Sequence, residues 1–225
     1  MKSFDINIDQ GSLVSLILIL LVFVPMLLCV AFMTIIERKA MGSMQRRIGP
    51  NVVGYYGVLQ PFADALKLVV KEQIIPAQSN KALFFLAPMI SLVFSLLGWA
   101  TIPFGSGMAI ADLSLGMLFS LAVSSIGVYG ALFAGWAANS KYAFLGSLRS
   151  TAQMVSYELI FSTCVAAVIL LAGSLNFTTI VEAQTSIWFI VPLFPLFIMY
   201  LISALAELNR TPFDLPEACL LYTSP

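Results

Sequence analysis

The chain has 225 residues, 60% hydrophobic and 10% charged, with zero formal net charge and a mean hydropathy of +0.98. Soluble domains carry about 25% charged residues, so a water-soluble globule is excluded and an all-α polytopic membrane protein is implied. With no histidine and three scattered cysteines (Cys29, Cys164, Cys219), bis-histidine haem, most metal sites and the roughly four thiolates of an iron–sulfur cluster are excluded, and no C-x-x-C spacing occurs. Zero net charge by itself says nothing about partners; no nucleic acid is expected as one.

After a short polar leader, residues 13–36 carry no charge. That run is too long for the apolar core of a signal peptide, long enough to span a bilayer, and contains Pro25, where a kink is expected. Four more spans are expected at residues 82–102, 115–138, 151–173 and 187–206, giving one membrane domain over residues 1–225 and a transmembrane helix bundle of about five spanning helices. The first inner loop holds one amphipathic helix, residues 56–73: Leu59, Phe62, Ala63, Leu66, Val69 and Val70 follow helical spacing, with Gln60, Asp64, Lys67 and Lys71 as a polar stripe. Both signs of charge in that stripe favour a protein-lined cavity over a lipid surface. Small residues at Gly127, Ala131 and Gly135 read as a helix-packing face. Gly105-x-Gly107 and Gly49-x-x-x-x-Gly54 follow no strand and read as turns.

The segments after spans one, three and five hold Arg38, Lys39, Arg46, Arg47, Lys67, Lys71, Lys81, Lys141, Arg149 and Arg210, whereas the leader and the other loops hold Lys2 alone. By the positive-inside rule the N-terminus lies outside and those segments lie inside. Trp99, Trp136 and Trp188 fall near span ends, as interfacial anchors do.

Glu158 breaks the apolar register of the fourth span, about 10 Å deep at 1.5 Å per residue. Buried acids of this kind usually mark ion or proton paths, and hydroxyls of Ser156 and Tyr157 stand next to it in sequence. Glu37 and Arg38 end the first span inside and Glu207 ends the fifth. Asp214 and Glu217 follow in an irregular loop interrupted by Pro212 and Pro216. Topology thus gathers five acids on one side. Carboxyls crowded in a medium of low dielectric do not all ionise, which is the condition for proton exchange near neutral pH.

Long stretches now resemble a known family: Glu37-Arg38-Lys39, Gln45-Arg46-Arg47-Ile48-Gly49-Pro50-Asn51, Gly57-Val58-Leu59-Gln60-Pro61-Phe62-Ala63-Asp64-Ala65-Leu66-Lys67, Ser140-Lys141-Tyr142-Ala143, Gln153-Met154-Val155-Ser156-Tyr157-Glu158, and Ala206-Glu207-Leu208-Asn209-Arg210-Thr211-Pro212-Phe213-Asp214-Leu215-Pro216-Glu217. They are similar to the subunit-1 family of NADH:ubiquinone oxidoreductase, respiratory complex I, in its mitochondrially encoded form. The resemblance covers about residues 30 to 218.

It implies a membrane subunit of the proton-pumping enzyme in the mitochondrial inner membrane, or in a bacterial plasma membrane, with the outside being the intermembrane side. Its expected partners are the other membrane-arm and quinone-module subunits, the lipid bilayer and ubiquinone. No cofactor is expected on this chain alone; NADH, FMN and iron–sulfur clusters would sit in partner subunits, with ubiquinone the substrate of the complex. The resemblance assigns Arg38, Arg47, Asp64, Lys67, Arg210 and Phe213 to the quinone chamber, and Tyr157, Glu158, Glu207, Asp214 and Glu217 to a proton path. It assigns no catalytic residue and no metal ligand. Two other readings predict different behaviour: a structural anchor for the redox arm, and the related subunit of a membrane-bound hydrogenase. The family pattern continues past Glu217 with more glutamates and further spans, whereas here the sequence reads Cys219-Leu220-Leu221-Tyr222-Thr223-Ser224-Pro225. The resemblance therefore implies that another chain, or a longer reading of the gene, completes the chamber.

Overall fold

The computed structural model describes residues 12–105, 109–209 and 213. These residues form helices α1 (Ser12–Met44), α2 (Gln60–Val70), α3 (Lys81–Gly98), α4 (Gly116–Ala137), α5 (Lys141–Ala172), α6 (Phe177–Ala183) and α7 (Phe194–Glu207), and short 3-10 turns at Tyr55–Gly57 and Trp99–Thr101. No strand occurs among them, so the fold is all-α, as the composition requires. Ile19–Met44, Lys81–Thr101, Gly116–Ala137 and Lys141–Ala172 are long and apolar enough to cross a membrane. The shorter α7 is also apolar.

The described residues fall into two compact units, one ending at Ile74 and one beginning at Ile75. In the first, α1 continues through Pro25 and past residue 36 to Met44. Gly42 and Gly49 let the following turn fold tightly back, with Arg47 N–H donating to the Gly42 carbonyl at 2.9 Å. Gly57 adopts φ 76°, and a Cβ there would run into the Pro50 carbonyl, so only glycine fits. α2 then starts at Gln60 with Pro61 in its first turn, where a missing N–H is harmless. The edge of Phe62 meets Phe32 of α1 at 6.1 Å between ring centroids.

In the second unit α3 packs on α4, α4 on α5, and α5 on α7. Close approach of α4 to its neighbours depends on Gly130 and Gly135. A Cβ on Gly130 would overlap Ser91 Oγ and stand 3.0 Å from the Ala87 carbonyl oxygen of α3. One on Gly135 would overlap the Ser147 side chain and lie 2.9 Å from the Ala143 carbonyl oxygen of α5. Gly127 has looser surroundings, since a Cβ there would lie 4.0 Å from Phe94 Cβ. Gly130 is therefore the tight glycine toward α3.

Hydrogen bonds join the helix ends in two groups. At one end Asn80 N–H donates to Ala137 O at 3.0 Å and Asn139 Nδ2 to Gln78 O at 3.1 Å. At the other, Asp112 accepts from Asn176 Nδ2 at 2.7 Å and Thr178 Oγ1 at 2.9 Å, while Met117 N–H donates to Leu175 O. Lys81 and Lys141 thus start their helices at the first end, and Asp112 sits at the second.

In the first unit α1 outruns its expected end at residue 36, and α2 is Gln60–Val70 rather than residues 56–73; in the second unit three elements differ from expectation. Residues 141–150, expected as loop, begin α5: they contain no proline, and Gly146 meets nothing within 4 Å that would favour a break. α5 reaches 32 residues, about 48 Å. Residues 187–193 are turn rather than helix, because Pro192 and Pro195 each remove an N–H donor and Pro195 is suited to a helix start. The loop after α5 contains α6, begun by Asn176, whose side chain caps the N–H groups of Thr178 and Thr179.

Candidate functional site

α5 carries two neighbouring faces of chemistry. Gln153, Tyr157 and Phe161 repeat every four residues and so form one stripe. Gln153 Nε2 donates to Ala206 O at 3.0 Å and to Phe213 O at 3.1 Å. The first bond adds a second donor to a carbonyl in the last turn of α7 that also accepts from Asn209 N–H at 3.2 Å. The Tyr157 ring meets Phe213 edge-on at 5.3 Å, and Phe161 stacks against Tyr200 of α7 at 4.8 Å. Just beyond α7, Asn209 takes a left-handed φ of 48° and donates from Nδ2 to Ser150 Oγ at 3.0 Å. Asn209 Oδ1 and Thr151 Oγ1 are buried with no hydrogen-bond partner among the described residues.

Glu158 lies one residue round from this stripe, near the middle of α5. It is about 26 Å along the helix from its start at Lys141. Its Oε1 accepts a close hydrogen bond from Ser125 of α4. Glu207, in the last turn of α7, accepts from Ser124 Oγ at 3.0 Å. Two half-buried carboxyls from separate helices are therefore bound by consecutive serines of a third. Neither forms an ion pair among the described residues. Of the hydroxyls expected beside Glu158, that of Ser156 donates back to Ala152 O at 2.7 Å, while the Tyr157 ring packs on Phe213.

Ser124, Ser125 and Gln153 were thus the missing members. Adjacent serines inside an otherwise apolar span were a usable signal, although a lone helical hydroxyl usually bonds back to its own helix. Arg210, Asp214 and Glu217 lie outside the described residues.

In the first unit, Arg38 near the end of α1 donates from Nη1 to Asp64 Oδ2 at 2.6 Å, an ion pair with half-exposed side chains. Gln60 Nε2, one turn earlier on α2, donates to Asp64 Oδ1 at 2.9 Å. The Arg38 hydrogen bond, then that of Gln60, hold the Asp64 carboxyl below the usual carboxylate range, with the charges of Arg38 and Lys67 adding to the effect. Lys67 is exposed. Arg47 stands apart from this group and donates from Nε to Gln45 at 2.7 Å. Lys39 donates to the Tyr56 carbonyl and lies 5.8 Å from that ring's centroid. Glu37 is half-buried on α1.

Among the described residues no three His, Cys, Asp or Glu side chains are grouped to hold a metal ion. An apolar cavity of about 620 Å³ lies in the second unit, walled in part by Leu121, Phe161, Val165, Phe197 and Tyr200. Among the described residues, none assigned to the quinone chamber lines it.

The family model described as NADH dehydrogenase matches residues 17–219. The chain is 72% identical over 206 residues to NADH-ubiquinone oxidoreductase chain 1 of Mycosarcoma maydis, covering 92% of this chain and 62% of that protein. It is 61% identical to the protein of the same name in Podospora anserina, over 92% of this chain and 56% of that one. To a bacterial relative, an NADH-quinone oxidoreductase subunit of Rhodospirillum centenum, it is 54% identical, over 95% of this chain and 64% of that protein. The chain therefore spans less than two thirds of the length of these relatives. A family match running from the first long helix to beyond Phe213 takes in every acid and serine described above, and the chain belongs to the NADH dehydrogenase family.

Proposed function

We propose that this chain is part of a membrane subunit of proton-pumping NADH:ubiquinone oxidoreductase, contributing to the quinone chamber and to the acidic path that couples quinone reduction to proton movement. The names of the fungal and bacterial relatives support the enzyme, and the mitochondrial inner membrane is its proposed location. The redox centres, FMN and iron–sulfur clusters, are assigned to partner subunits. One observation carries the coupling role: Glu158 and Glu207 are held by hydroxyl groups rather than cations. A cation fixes a carboxyl in its charged form, whereas a hydroxyl can serve either form. These acids are therefore suited to gain and lose protons. The chamber assignment of Arg38, Arg47, Asp64 and Lys67 rests on the family motif and on the Arg38–Asp64 pair; that of Arg210 and Phe213, and the path assignment of Asp214 and Glu217, rest on the motif.

Reduction of quinone changes charge near the inner loops. The acids answer by shifting protons, and Glu158 carries that change into the membrane. Glu158→Gln in the native complex should cut coupled quinone reduction and proton pumping at least tenfold while the complex still assembles. Wild-type pumping in that variant sinks the reading. Loss of assembly with normal turnover in the surviving complex would instead favour an anchoring role.

A further inference from the structure

We propose that Ser125 is a positioning residue for Glu158 that serves both protonation states of the carboxyl by turning a single hydrogen. This deepens the proton-path reading and rests on it. A serine hydroxyl has one hydrogen to donate and two lone pairs to accept with. Ser125 Oγ has two acceptors within reach: the Leu121 carbonyl oxygen, one turn back on α4, at 3.0 Å, and Glu158 Oε1 on α5, in close contact. One hydrogen cannot satisfy both.

The conflict resolves when protons are counted. With Glu158 ionised, the Ser125 hydrogen points to Oε1. When Glu158 takes a proton from water, its new O–H donates to Ser125 Oγ, and the serine hydrogen turns to Leu121 O. Release of the proton to water reverses both steps. Each state keeps the Ser125–Glu158 contact, and neither side chain has to change rotamer.

Other serines in these helices lack this choice. Ser95, Ser120, Ser156 and Ser203 each donate to a carbonyl of their own helix, and Ser124 donates to Glu207. The titratable groups carried by the helices packed on α5 are Tyr129 on α4, Glu182 on α6, and Tyr200 and Glu207 on α7; α5 itself carries Arg149, Tyr157 and Cys164 near Glu158 in sequence. No ion pair among the described residues fixes the charge of Glu158.

The test compares Ser125→Ala, Ser125→Thr, Ser125→Cys and Glu158→Gln in the purified intact complex. Redox-induced infrared difference spectra, read in the protonated-carboxyl region, identify the Glu158 band as the one that Glu158→Gln removes. Ser125→Ala should shift that band and lower coupled turnover about three- to tenfold, the scale of one lost hydrogen bond. Ser125→Thr, which keeps the hydroxyl, should restore the band and bring turnover to within about twofold. A purely packing role for Ser125 would alter turnover without moving the band. If the alanine variant fails to assemble, the cysteine variant decides, because a thiol is a weak donor and must also shift the band. An unshifted Glu158 band in the alanine or cysteine variant overturns the proposal. Glu158→Gln with wild-type turnover would instead overturn the proton-path reading beneath it.

Discussion

Asp64 receives hydrogen bonds on both carboxyl oxygens, from Arg38 of α1 and from Gln60 of its own helix. These donors favour the charged form, so the carboxyl titrates below its ordinary value. A depressed carboxylate stabilises the fold fully above its unfolded value and loses that contribution as pH falls through the folded one. The attachment of α2 to α1 should therefore hold through the ordinary carboxylate range and loosen below it. Hydrogen exchange of α2 amides in the intact complex, followed from neutral pH downward, checks this. Asp64→Asn should raise α2 exchange at neutral pH and remove the acid-dependent step. A wild-type acid profile in that variant would mean that another group controls it. At this scale the sequence disclosed Glu158 clearly, since a charge within an apolar run is conspicuous. It did not disclose Ser125, because a hydroxyl's partner is chosen by packing between helices and leaves little trace in hydropathy.

At the scale of elements, small side chains set how near the helices come. Gly130 touches α3 and Gly135 touches α5, so α4 is held on both sides by missing Cβ atoms. Gly130→Val should destabilise the bundle by about 1–3 kcal/mol through overpacking and reduce the amount of assembled complex. Gly146→Ala should be neutral or slightly stabilising, since a Cβ there meets nothing within 4 Å and alanine is the better helix former. Blue-native electrophoresis of both variants reads the contrast; equal assembly of the two would show that the α3–α4 contact yields easily. The spans themselves were legible because each is a run of apolar residues of membrane length. Their ends were less so. The prolines at 192 and 195 deferred the start of α7, and α5 absorbed a polar segment because polarity alone does not stop a helix. The small-residue pattern named Gly127, Ala131 and Gly135; Gly135 does meet α5 closely, while toward α3 it is Gly130, outside the pattern, that bears the close approach. Spacing of four identifies a stripe without saying which neighbour it meets.

For the molecule as a whole, charge is sorted by helix end in the second unit. Lys81 and Lys141 begin their helices beside the Asn80–Ala137 and Asn139–Gln78 hydrogen bonds, and Asp112 closes the opposite end with Asn176 and Thr178. The orientation we propose turns the end with Lys81 and Lys141 inward. In sealed mitochondria stripped of their outer membrane, Ser174→Cys should react with an impermeant maleimide, and Tyr142→Cys only after the inner membrane is opened. The reverse pattern would invert the proposed orientation. The family motifs were legible over most of the chain, but the expected gathering of acids is described only for Glu158 and Glu207, since Asp214 and Glu217 lie outside the described residues.

α5 is about 48 Å long, against a hydrocarbon layer of about 30 Å. The excess is taken up by leaning or by standing proud of the lipid. Gln153, Tyr157, Glu158 and Phe161 all ride on this one rod, so whatever sets its inclination sets the depth of all four at once. Bilayer thickness thereby becomes a shared coordinate for the grip on Phe213, the ring contact with Tyr200 and the bond to Ser125.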